Sequence, residues 1–127
     1  MRSVISIKIP VVDDGIILEE ALETLTQEGY ECFGASKVEA AVEIVNTVAG
    51  IVLIITDLKM PRKTGADLIK TVETRCGQQI KLIVMSGHAS PGIEGNGIDI
   101  ASCAFLKKPL DIEDLINLVA FVLATRE

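Results

Sequence analysis

Residues 51–65 read IVLIITDLKMPRKTG, and the fold turns on them. Ile51 to Ile55 is five consecutive apolar residues, all β-branched except Leu53. An unbroken apolar run, rather than an alternating one, suits a strand covered on both faces. Asp57 stands just past the end of the run, and Pro61 and Gly65 mark a loop beyond it. Residues from about Ala66 to Arg75 can then form a helix.

Working outward, the same alternation of β-rich runs and helical periodicity recurs. Towards the N-terminus, Val4 to Val12 is a first strand. Leu18, Ala21, Leu22 and Leu25 fall on one face of a helix that Gly29 terminates. Tyr30 to Ala35 is a short second strand. Ser36 and Glu39 have the spacing of a capping box, opening a helix with Val38, Ala41, Val42 and Val45 on its apolar side. Towards the C-terminus, Lys81 to Met85 is a strand ending at Ser86. Cys103 to Leu106 is a fifth, ending near Lys107 and Lys108. Asp111 caps a final helix from about Ile112 to Thr125. Five strands alternating with helices imply a parallel sheet with helices on both faces.

The bulk properties bound the function. The 127 residues, 49% of them apolar, suit one globular domain, with no linker and no internal repeat. Twelve Lys and Arg against eighteen Asp and Glu give a net charge of −6, which disfavours direct nucleic-acid binding. The longest apolar run, Leu118 to Ala124, is far too short to span a membrane. Lys8, Pro10, Asp13 and Asp14 interrupt the N-terminus, so it does not read as a signal peptide. Cys32, Cys76 and Cys103 are widely spaced and unpaired by motif, as buried thiols in a reducing cytoplasm would be.

In a doubly wound parallel sheet, ligands bind outside the carboxyl ends of the strands. Asp13 and Asp14 follow strand one, Asp57 strand three, Ser86 strand four and Lys108 strand five. Three converging carboxylates repel one another unless a cation is present, and hard oxygen ligands suit Mg²⁺. A lysine offsets part of the charge, a serine hydroxyl can donate to a phosphoryl oxygen, and a carboxylate can become an aspartyl phosphate.

In its words VVDDG, ITDLKMPRKTG, VMSGH and FLKKP, in that order and at strand ends, the chain resembles the receiver family of two-component response regulators along essentially its whole length. The resemblance implies a flavodoxin-like (βα)5 fold with strand order 2-1-3-4-5. It implies that Asp57 accepts a phosphoryl group from a histidine kinase or a histidine phosphotransfer protein. Asp14 would ligate Mg²⁺ directly, Asp13 mainly through water, and the Lys59 backbone carbonyl would add a further ligand. Ser86 would bond a phosphoryl oxygen and Lys108 would ion-pair with it. Phe105 would be the switch aromatic, while Met60, Pro61 and Gly65 would shape the loop and His88 would influence dephosphorylation. The expectation is a cytoplasmic phosphoacceptor switch rather than an enzyme, spanning residues 1–127 without an effector domain. It would act on a downstream protein partner, with a homodimer left open.

Two features depart from that pattern. Pro10 lies inside strand one, where its missing N–H deletes a ladder bond, so either a bulge occurs there or the strand starts at Val11. Gly92, Gly95 and Gly97 fall in the fourth helix; at about 1 kcal/mol each they disfavour it by roughly 3 kcal/mol, so a short, frayed or loop-like helix is expected.

Competing chemistries fit less well. A phosphatase or phosphotransferase of the haloacid dehalogenase type needs a carboxylate two residues after its nucleophile, where this chain has Lys59. A nucleotide-binding module needs a glycine-rich loop after strand one, where this chain has two carboxylates, and its GIEGNG lies at residues 92–97. A receiver-like docking module that is never phosphorylated remains the alternative.

Overall fold

The computed structural model describes residues 7–13, 15–57, 80–86, 103–107 and 111–124, with Ser86 and Cys103 described by their backbone alone. The elements in chain order are β1 (Lys8–Val12), α1 (Ile17–Gln27), β2 (Glu31–Ala35), α2 (Val38–Thr47), β3 (Leu53–Asp57), β4 (Lys81–Ser86), β5 (Cys103–Lys107) and α3 (Ile112–Ala124). The strands form one sheet in the order β2-β1-β3-β4-β5, and every pairing is parallel. This is the order that the sequence words imply. The expected helices at 66–75 and 90–102 lie outside the described residues.

The unbroken apolar run of β3 sorts its side chains by the period of two that any strand imposes. Ile54 joins Val12, Leu82 and Val84 in a layer under α2, with Val38 and Ala41 of that helix. Leu53 and Ile55 join Ile9, Val11, Ile83, Met85 and Leu106 under α1 and α3, which contribute Ala21, Leu25, Leu115, Val119 and Val122. The exposures of Leu53, Ile54 and Ile55 are all 0%, so each contributes the full burial of its side chain, about 1.5–3 kcal/mol. A strand with one polar face could not fill both layers.

Helix ends follow local chemistry where it is available. Gly29 adopts φ +101°, the Gly29 N–H donates to the Thr26 carbonyl, and the Tyr30 N–H donates to that of Leu25. That pair of bonds is a Schellman cap, and it ends α1 as expected. Asp111 caps α3: its Oδ1 accepts from the N–H groups of Glu113 at 2.9 Å and Asp114 at 3.3 Å. The Ser36–Glu39 capping box does not form. The residue that enters α2 is Lys37, in extended backbone, and no side chain caps the helix. The helix starts one residue later than the box requires, which takes Ser36 out of the N-cap position.

Pro10 stands inside β1, in unbroken register with β2 and paired with Phe33, so the strand does not start at Val11. The irregularity lies on the other side. Lys8 bridges Ile51, whereas Val11 pairs with Ile55. Between those pairs β1 spends two residues, 9 and 10, and the facing chain spends three, 52 to 54, which is the count of a β-bulge. The Glu31 N–H donates to the Ile7 carbonyl and the Asp13 N–H to the Ala35 carbonyl, so the odd residues of β1 bond β2 and the even residues face β3. The N–H that Pro10 lacks therefore faces the bulge, where the regular ladder is already interrupted.

Candidate functional site at the carboxyl edge of the sheet

The strands deliver polar residues to one edge. Val12 of β1 pairs with Thr56 of β3, so Asp13 and Asp57 occupy the next position on adjacent strands. Asp57 pairs with Met85 in β4, and Ser86 with Lys107 in β5. Asp57 is the last residue of β3 rather than one past it, because β4 continues alongside and gives it a partner.

Both carboxylates are buried, Asp13 at 1% exposure and Asp57 at 7%. The Gly15 N–H donates to Oδ2 of Asp13 at 2.9 Å, an Asx-type turn that folds the chain back after β1. The Asp13 N–H continues the sheet by donating to the Ala35 carbonyl at 3.0 Å. Thr56 is fully buried, and its hydroxyl donates to the Asp57 carbonyl at 3.0 Å. Two carboxylates buried at adjacent strand ends favour compensating positive charge, and their oxygen donors suit a hard divalent cation. Among the described residues no group of three His, Cys, Asp and Glu could hold a metal. Asp14 and Lys59, named for that role from the sequence, lie outside those residues.

The structure thus brings Asp13 and Asp57 together and sets the backbone of Ser86 at the same edge. Lys108, His88, Met60, Pro61 and Gly65 also lie outside the described residues, as does the side chain of Ser86. Phe105 is 38% exposed, on the sheet face opposite its neighbours Ala104 and Leu106, which pack in the α1/α3 layer. Lys107 is exposed, as a solvent-facing neighbour should be. Reading the sequence did not single out Thr56, the buried hydroxyl next to Asp57. The signal was there, a lone hydroxyl ending an otherwise aliphatic strand directly before Asp57.

Away from this edge, burial raises the Cys32 thiol above its ordinary value, and a hydrogen bond with Thr26 partly opposes that. Burial also raises Tyr30, with Glu28 and Cys32 adding to the effect. Among the described residues no helix is long and apolar enough to cross a membrane.

Comparison with known proteins agrees with this geometry. The chain matches the family model for the response regulator receiver domain over residues 9–120. It is 30% identical over 105 residues to the transcriptional regulatory protein PdtaR of Mycobacterium tuberculosis, covering 82% of this chain and 50% of that protein. It is 29% identical to the transcriptional regulatory protein FixJ of Azorhizobium caulinodans, covering 90% and 54% respectively. The chain spans about half the length of these curated relatives. A response regulator receiver protein from Sinorhizobium medicae superposes with a TM-score of 0.83 at 26% identity, over 96% of this chain and 98% of that one. The chemotaxis response regulator CheY4 of Vibrio cholerae superposes with a TM-score of 0.82 at 27% identity, over 93% and 99%.

Proposed function

The chain belongs to the response regulator receiver domain family, and from that premise we propose that it is a phosphorylation switch with Asp57 as its phosphoacceptor. Receiver domains of this family work in two-component signalling. The observation that carries the assignment is a buried carboxylate, Asp57 at 7% exposure, ending the central strand beside a second one, Asp13 at 1%.

In the proposed reaction a carboxylate oxygen of Asp57 attacks the phosphorus of a phosphohistidine on a histidine kinase or histidine phosphotransfer protein. The P–O bond forms as the P–N bond breaks, and the imidazole leaves with the bonding electrons and takes a proton from solvent. Asp13, Asp14, Asp57 and the Lys59 carbonyl are the residues that would hold Mg²⁺. When bound, the ion would offset the clustered carboxylates and the charge on the phosphoryl oxygens. Ser86 donates a hydrogen bond to a phosphoryl oxygen, and Lys108 pairs with its charge. Phe105, partly exposed, changes rotamer as Ser86 is drawn toward the phosphoryl group. The two arrangements are populations of one fold, and the phosphorylated one docks a downstream protein partner in the cytoplasm.

Intact-protein mass spectrometry after incubation with acetyl phosphate tests this directly. The expected result is a single HPO₃ adduct that requires Mg²⁺ and is lost in Asp57→Ala. If no adduct forms and beryllofluoride also fails to bind, the fold serves as a docking module that is never phosphorylated.

A further inference from the structure

The described interior contains three buried polar or charged side chains, Asp13, Asp57 and Thr56. The two acids have a role in the reaction above, and Thr56 has none. Its position is nevertheless unusual. It follows five aliphatic residues, pairs with Val12, and is 0% exposed on the side of the sheet that Val12, Ile54 and Val84 fill. Valine has almost the same shape and no hydroxyl to desolvate, so packing alone favours valine there.

The hydroxyl donates 3.0 Å to the backbone carbonyl of Asp57 itself. The Lys81 N–H donates to the Val52 carbonyl, so even residues of the β3 chain face β4 and odd ones face β1. The Asp57 carbonyl therefore points towards the exit of β1, where Asp13 and its turn lie. Holding that carbonyl sets the peptide plane between Asp57 and Leu58. That plane fixes the backbone at Asp57, the residue from which the carboxylate projects.

We infer that Thr56 is a positioning residue for the phosphoacceptor: its hydroxyl clamps the Asp57 carbonyl and so presents the Asp57 carboxylate to the cation and the incoming phosphoryl group. This rests on the phosphoacceptor role of Asp57. A threonine retained only for its strand propensity would leave the chemistry untouched when replaced by valine.

The test compares the parent protein with Thr56→Val, which removes the hydroxyl at constant shape, and Thr56→Ser, which keeps it. Mg²⁺ affinity is measured by calorimetry without any phosphodonor, the phosphorylation rate with acetyl phosphate at saturating Mg²⁺, and thermal stability by melting. Thr56→Val is expected to stay folded and melt within a few degrees of the parent, yet to bind Mg²⁺ and accept phosphoryl roughly threefold to tenfold less well, the worth of one hydrogen bond. Thr56→Ser should restore both. Parent-like Mg²⁺ affinity and rate in a folded Thr56→Val overturn the inference while leaving Asp57 as phosphoacceptor. A parent protein that takes no phosphoryl group at Asp57 overturns both.

Discussion

At the residue scale, burial acts on different chemistry at the two ends of the sheet. At the carboxyl edge, Asp13 and Asp57 are held in a nearly closed interior, where backbone donors and a cation can offset charge. On β2, burial raises the Cys32 thiol above its ordinary value, and it also raises Tyr30 beside it, with Glu28 adding to the effect. Both groups hold their protons more tightly folded than unfolded. For each group the stability is therefore complete below that group's own ordinary value and is lost as pH rises from there through its raised folded value. Urea unfolding should show stability falling as pH climbs past 9, and Cys32→Ala should flatten that fall. An unchanged slope would mean that the thiol is not held protonated by the fold. At neutral pH the scarce thiolate should make Cys32 slow towards alkylating reagents, as peptide mapping would show.

At the element scale, the two predicted helix caps separate cleanly. Asp111→Ala removes an acceptor shared by two N–H groups and should cost about 1 kcal/mol. Ser36→Ala removes no cap and should stay within about 0.5 kcal/mol of parent, although the sequence pattern at Ser36 looks the stronger of the two. Chemical denaturation of both variants decides the matter. Gly29 supplies the complementary case. A Cβ there meets nothing within 4 Å, yet φ is +101°. Gly29→Ala should therefore cost about 1 kcal/mol through backbone conformation alone, seen as a lower denaturation midpoint with an unchanged slope. The cap of α1 was legible because it depends on one residue type. That of α2 was not, because extended backbone at Lys37 shifts the helix start by one residue.

At the scale of the whole molecule, β3 ties two apolar layers into one cooperative unit. Ile54 and Ile55 are adjacent in the chain and fully buried, but on opposite faces of the sheet. Ile54→Val and Ile55→Val should each cost about 0.5–1.5 kcal/mol and should add in the double variant, since they share few partners. A double variant well short of the sum would show the layers coupling through the strand. A separate, lower transition for either layer would show that they unfold apart.

Much of this design is set by residue type and spacing alone. The apolar run at 51–55 demanded a strand covered twice, the alternation of elements demanded a parallel sheet, and Asp13 and Asp57 had to fall at its carboxyl edge, because side-chain periodicity and the handed connections of such sheets leave few other arrangements. Other features depend on what lies across from a residue, which no local pattern records. That Asp57 belongs to β3 follows from the continuation of β4 beside it. That Pro10 is tolerated follows from a bulge on the facing chain, to which its missing N–H points. That the Thr56 hydroxyl meets the Asp57 carbonyl follows from the interior, which excludes water and leaves that carbonyl within its reach.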